Sequence, residues 1–199
     1  MGLSCTNILV RDAELKTVAA LLKCSGSAGF VVQFENRLVG VFDRKCEDQN
    51  AVEMADLCIR LSSDLECVVM GSAVVDGDVF LYWLYESGQL MDAYNSTPDY
   101  FSSEWGKPSS GPTGGSAEAL CRAFRAVDSQ YAVDAVFERA RKADAAEFEA
   151  SSLIGEDIHA ALARALKLPE ALVGVGYYAI EAGNLPAAFP THSMLRYGA

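Results

Sequence analysis

Few side chains in this chain could do chemistry: two histidines, six cysteines and one run rich in aromatic and polar residues. His159 falls in a helical stretch beside Glu156, Asp157 and Arg164. A helical metal motif would want a second ligand four residues on, where Ala163 stands. His159 is therefore expected on the surface. His192 follows Pro190 and Thr191 in the C-terminal tail. A Ser/His/Asp or Cys/His triad is assembled by geometry and not by chain order. With so few histidines and no GxSxG elbow, the sequence offers no sign of one. Cys5, Cys24, Cys46, Cys58, Cys67 and Cys121 include no CxxC pair, which argues against a zinc site and against a dense disulfide scaffold. Cys58 and Cys67 have apolar neighbours and are expected as buried small hydrophobes. A reducing, cytoplasmic setting fits these thiols, and no metal or cofactor is implied.

The aromatic-polar run contains Tyr94, Asn95, Ser96, Asp99, Tyr100, Phe101 and Trp105, where a strand passes into a loop. Two readings stand. The rings can form a partner-binding surface, because aromatic side chains give large contact area at low entropic cost. Alternatively Tyr100, Phe101 and Trp105 fold back onto the core, and Asn95 and Asp99 supply turn hydrogen bonds. The expected partner-binding set is Tyr94, Asn95, Asp99, Tyr100, Phe101 and Trp105.

Other motifs fall away on inspection. Gly111-Pro112-Thr113-Gly114-Gly115, with Lys107 nearby, lacks GxxxxGK[ST] and GxGxxG and reads as a linker. Asp43, Asp76 and Asp78 do not have EF-hand spacing. The stretch from Ile158 to Gly183 has a faint helix-turn-helix rhythm, but Pro169 to Glu181 carries no Lys or Arg to hold a phosphate backbone. The opening MGLSCT fits the loose myristoylation pattern, with Cys5 as a second acylation point. No basic cluster follows it, and an acidic region would be repelled by anionic lipid, so lipidation is not expected. No apolar run reaches membrane-spanning length, and no secretory leader is legible.

Charge sharpens these exclusions. The net charge is -11, from 16 Lys and Arg against 27 Asp and Glu, which works against nucleic-acid binding. Residues 1–116 hold 16 acidic against 8 basic residues, and residues 117–199 hold 11 against 8. The acidity is thus concentrated in the N-terminal part. It serves solubility, or it steers a basic partner.

These side chains need elements to position them. Asp12 can cap a helix through Leu15, Val18, Ala19 and Leu22. Two β-rich runs flank Glu35-Asn36-Arg37 as a hairpin. Asn50 and Glu53 have capping-box spacing for a helix whose apolar face is Ala51, Met54, Ala55, Cys58 and Leu61. Asp76-Gly77 and Ser87-Gly88 divide a three-stranded meander at about 66–75, 78–86 and 89–95. The middle strand, with large residues at every position from Phe80 to Tyr85, must be covered on both faces. Residues 106–116 read as a linker or mobile loop. Helices follow: one capped by Ser116, one over 131–150 with Val133, Val136, Phe137 and Ala140 inward, one over 156–167, and one from Pro169 to about Glu181. An irregular tail ends the chain.

The expected layout is a sheet domain over 1–105, the linker over 106–116, and a helical region over 117–199 packed on the sheet. Its fold class is α+β, an antiparallel five-stranded sheet with helices on its faces. The order α-β-β-α-β-β-β resembles profilin-like and roadblock-like modules over about half the chain, with Thr6 to Val10 as a possible extra strand. The functional expectation is an acidic cytoplasmic module that binds another, basic, protein, as toxin-neutralising immunity proteins and small regulatory adaptors do. A hydrolase using Asp99 with His159 or His192 is the alternative, and a homodimer is a third reading.

Overall fold

The computed structural model describes residues 2–48, 51–100, 111–145 and 154–198. It is an α+β structure built on one antiparallel sheet. The chain opens on a strand, β1 (Cys5–Arg11), followed by α1 (Leu15–Leu22) and the hairpin β2 (Gly29–Gln33) and β3 (Leu38–Asp43). Two helices, α2 (Arg44–Glu47) and α3 (Ala51–Asp64), lead into the meander β4 (Val68–Val75), β5 (Val79–Glu86) and β6 (Gln89–Asn95). Then come β7 (Thr113–Gly114), α4 (Ala117–Ala123), α5 (Gln130–Ala145), α6 (Gly155–Ala165), α7 (Tyr177–Glu181) and β8 (Met194–Tyr197).

The sheet has eight strands in the order β7-β6-β5-β4-β1-β3-β2-β8, which corrects the expectation of five. Three strands account for the difference. β1, the segment noted as a possible strand, is buried at every residue and lies mid-sheet, joining the hairpin to the meander through β3 and β4. β7 is two residues long and pairs only with Tyr94 and Asn95, so it leaves no periodic trace in sequence. β8 comes from the tail expected to be irregular, and it pairs with β2 from Val31↔Leu195 to Gly29↔Tyr197. The sheet therefore draws strands from both sides of the 106–116 stretch.

Turn chemistry accounts for the hairpins. Asn36-Arg37, Asp76-Gly77 and Ser87-Gly88 all have positive φ at both positions, as tight turns that match strand twist require. β5 is covered on both faces as its composition demands. Phe80, Tyr82 and Leu84 join one core cluster with α4, α5 and α6, whereas Tyr85 packs on the other side with α1 and α3. On the first side Tyr94 lies 5.8 Å from Tyr82 and 5.0 Å from Phe137, ring centre to ring centre. Such pairs add roughly 0.5–1.5 kcal/mol each beyond their area burial. On the second side α3 comes so close to β4 that a Cβ on Gly71 would sit 2.8 Å from the Cys58 sulfur.

Local expectations shift in three places. Asp12 does not cap α1: it has φ +60, and Glu14 holds the cap position without a side-chain bond. The buried stripe of α3 is Met54, Leu57, Cys58, Leu61 and Ser62, with Ala51 exposed. The helix expected from Pro169 to Glu181 is broken into a 3-10 turn at Glu170–Leu172 and the short α7, with Gly174 at φ +72 between them. Ser116 does cap α4, accepting from the Ala119 N–H at 3.1 Å.

Buried polar groups bind the two halves of the chain together. Glu47 accepts from the Thr6 N–H (2.9 Å) and hydroxyl (2.8 Å), and the N–H groups of Tyr177 and Tyr178 face it as well. Burial raises its pKa against the pull of these donors. Asn7 donates to the carbonyls of Leu172 and Val175 and accepts from Ser72. Asp43 caps α2 through the N–H groups of Lys45 and Cys46 and accepts the Tyr197 hydroxyl at 2.6 Å, which fixes β8 to the sheet.

Three helices end alike. After α3, α4 and α6 a left-handed residue is followed by an N–H that reaches the carbonyl five residues back: Cys67 to Ser62 (3.1 Å), Ala126 to Cys121 (2.8 Å) and Leu168 to Ala163 (2.8 Å). Glycine is the usual residue at the left-handed position. Here it is Glu66, Arg125 or Lys167, each charged and each carrying a steric cost of about 1–2 kcal/mol. A cation at a helix C-terminus recovers about 0.3–1 kcal/mol, which offsets only part of that cost.

Candidate functional site

The segment singled out in sequence divides in two. Tyr94 belongs to the core: it is 3% exposed, and burial pushes its hydroxyl up to about 12. Asn95 accepts from the Thr97 N–H at 2.9 Å, a turn that carries the chain off β6. Ser96 is buried and accepts from the Phe80 N–H at 2.8 Å. Asp99 and Tyr100 are half-buried, and the Tyr100 hydroxyl reaches the Asp76 carboxylate at 3.5 Å. Phe101 and Trp105, like residues 106–110 of the expected linker, lie outside the described residues, while its remainder holds β7 and the Ser116 cap. Of the six expected binding residues, the structure thus puts one in the core and gives one a turn bond.

His159 is not on the surface. Its ring stacks on Phe80 at 5.2 Å and an interplanar angle of 15°, against Leu162 and Leu166, and its Nδ1 has no hydrogen-bond partner among the described residues. Burial lowers its pKa to about 4, so it is neutral near pH 7. The sequence hid this because acidic and basic neighbours along the helix suggested an outward position, whereas Ile158, His159 and Leu162 all turn inward. All six cysteines are free thiols, with Cys24 exposed and Cys67 half-buried. Among the described residues no group of three or more His, Cys, Asp or Glu side chains could hold a metal ion, and no helix is long and apolar enough to cross a membrane.

A broader surface stands next to the singled-out segment. On the α3 side of the sheet, Leu81, Trp83 and Tyr85 of β5 stand opposite Asn95, Ala93 and Leu90 of β6. Tyr85 is buried, but Leu81, Trp83 and Ala93 are only half-buried and Leu90 is 55% exposed. The helix edge above them carries Val52, Asp56, Ile59 and Ser63, spaced i, i+4, i+7 and i+11 on one side. That edge faces β6, because a Cβ on Gly88 at the β5–β6 turn would meet the Ser63 Cβ at 3.2 Å. Val52 is 69% exposed and Ile59 39%. The result is a shallow apolar strip between α3 and the sheet edge.

The chain segment that carries this strip is acidic. Residues 51–100 hold nine Asp and Glu against one basic residue, Arg60, for a net of -8. Glu53, Asp56, Asp64, Asp76, Asp78 and Glu86 are exposed. Asp92 is committed internally: it accepts the Tyr82 hydroxyl at 2.5 Å and the Ser116 N–H at 2.7 Å, anchoring the start of α4. Sequence reasoning found the acid but missed the strip. The signal was available in Val52 and Ile59, apolar residues seven apart that fall outside the inward stripe of their helix.

These features define an α+β protein with a single antiparallel sheet and, on one face, an apolar strip carried by an acidic segment. No protein-family model matches the chain, and neither a curated protein nor a solved structure matches it.

Proposed function

We propose that this chain is a protein-binding module that receives a basic partner on the strip between α3 and the β5–β6 edge. The observation that carries the reading is the pairing of exposed apolar side chains with a net of -8 across residues 51–100. Apolar contact supplies affinity at the centre of such a surface. Like-signed charge at its rim speeds encounter with an oppositely charged protein and disfavours other partners. Asp56 and Asp64 do the steering, and Trp83, Leu90 and Ile59 form the contact. A toxin-neutralising immunity protein or a small regulatory adaptor is the concrete role that suits such a surface, and cytoplasmic residence suits the free thiols. No specific observation favours a hydrolase: His159 is walled in by Phe80 and leucines, without a hydrogen-bond partner at Nδ1 among the described residues.

The test begins with affinity capture from host lysate at low salt, followed by identification and purification of the captured protein. Its association rate with the wild type is then measured at rising ionic strength, beside Asp56→Asn/Asp64→Asn and Leu90→Lys. The rate should fall steeply with salt and drop in the double variant, while Leu90→Lys should mainly speed dissociation. A rate indifferent to salt and to both variants sinks the proposal. Sedimentation at two concentrations gives the remaining outcome: self-association abolished by Leu90→Lys would assign the strip to a second copy of the chain instead.

A further inference from the structure

A second surface of opposite character lies where β1 ends, the β2–β3 hairpin turns, and α4 and α6 terminate. These four segments enclose an open cavity of about 470 Å³. That volume falls within the usual range for small-molecule sites. Arg11, Arg37, Arg125 and Lys167 line it, one from each segment, against Asp12 and Asp128. Four of the chain's 16 basic residues therefore converge on one cavity of a protein whose net charge is -11. Charges of one sign drawn together against the general field need a reason.

We propose that this cavity binds a small molecule carrying phosphate or carboxylate groups. The three arginines are held in place before any ligand arrives, whereas Lys167 stands exposed at the rim. Arg11 is 8% exposed, donates to the Ala123 carbonyl and lies 3.5 Å from Asp12 through Nε. Arg125 meets the same carboxylate through Nη2 at 2.8 Å, and Arg37 donates to the Asp12 carbonyl. Each guanidinium offers five donors in a planar fork, so the bonds to Asp12 and, for Arg11, to the Ala123 carbonyl leave further N–H groups for an oxyanion. Leu38, Phe124, Leu166 and Leu168 form the apolar wall, which strengthens charge–charge attraction inside.

Backbone conformation fixes where these cations stand. Among the described residues eight non-glycine positions have positive φ, and five of them line this cavity: Asp12, Asn36, Arg37, Arg125 and Lys167. Three are the cations themselves. Each occupies a hairpin or helix-end position where glycine would relieve strain. The same fact yields a clean variant. Replacing Arg37, Arg125 and Lys167 by glycine removes three charges while easing the backbone, which offsets the loss of the exposed Arg125–Asp12 pair and of the Arg37 bond to the Asp12 carbonyl.

The test uses the full chain at low ionic strength, with pyrophosphate and citrate as probes, followed by amide NMR and calorimetry. Saturable binding of either probe should shift the resonances of Asp12, the 36–38 turn and the 124–126 and 166–168 segments. Pyrophosphate alone would assign phosphate chemistry, and citrate alone carboxylate. R37G/R125G/K167G should weaken binding by roughly tenfold or more, with a thermal midpoint equal to or above the wild type. K16Q/R139Q/K142Q removes the same charge from exposed positions on α1 and α5 and should bind as the wild type does. The proposal is overturned if neither probe binds, if the glycine variant binds undiminished, or if the control variant is weakened as much.

Discussion

Removing the imidazole at position 159 should take away an acid weakness that the wild type carries. His159 titrates near 4 in the folded protein because burial disfavours its charged form, against an ordinary value of 6.5. The folded pKa is thus the lower of the two. Stability is full above 6.5, falls as the unfolded chain takes up a proton that the folded chain refuses, and levels off below about 4. The gap of about 2.5 units corresponds to roughly 3 kcal/mol in all, of which about 2 kcal/mol is lost between pH 7 and pH 5. Typical domain stability is about 5–15 kcal/mol, so this is a large fraction. His159→Phe keeps a ring against Phe80 and abolishes the titration. Urea unfolding of both proteins at steps from pH 7 to pH 4 measures the difference. Glu47 runs in the opposite sense, since its raised pKa makes its burial penalty fall away in acid, but it is common to both proteins and cancels. The stability gap should open in favour of the variant as pH falls. Parallel curves would refute the argument, and so would an imidazole proton signal of His159 that titrates near 6.5.

Two further outcomes follow from the packing. Tyr197→Phe deprives the buried Asp43 of its 2.6 Å donor and should cost about 1–3 kcal/mol, with faster amide exchange in β8 and the facing residues of β2; unchanged exchange there would mean that the hydroxyl does not hold the edge strand. Thiol labelling of the native protein should modify Cys24 first and Cys67 slowly, since burial pushes Cys67 up to about 11 and Cys5 up to about 12; fast modification of Cys5, Cys46 or Cys58 would contradict their burial.

Much of the sheet could be read from the chain because its signals are local. Asp76-Gly77, Ser87-Gly88 and Asn36-Arg37 announce turns by residue type, and the unbroken run from Phe80 to Tyr85 announces a strand covered on both faces. What stayed hidden depends on distant partners. β8 is a strand only because β2 has an open edge for it, and β7 only because the chain returns past Tyr94 and Asn95. Tyr94 illustrates the same limit for function. Its residue type suits a binding surface, and only the positions of Tyr82 and Phe137 show that it fills the core. His159 errs in the other direction, for its charged neighbours in sequence do not surround it in space. The convergence of Arg11, Arg37, Arg125 and Lys167 spans most of the chain and has no linear signature at all.

The two proposed surfaces divide the charge of the molecule between them, and this bears on how each would work. Net charge suggests a uniformly acidic body, yet residues 51–100 carry a net of -8 out of -11 while a quarter of the cations, four of 16, sit in one cavity. Fields of this kind fade over about 10 Å at 0.1 M salt. A basic protein approaching α3 is therefore drawn by the local rim and not by the molecular total. An anion bound among the arginines meets Arg37, Arg125 and Lys167 at exposed positions, so its affinity should fall with salt as partner association does. The two events are separated by the variants instead: R37G/R125G/K167G should weaken the anion and spare the partner, and Asp56→Asn/Asp64→Asn should do the reverse.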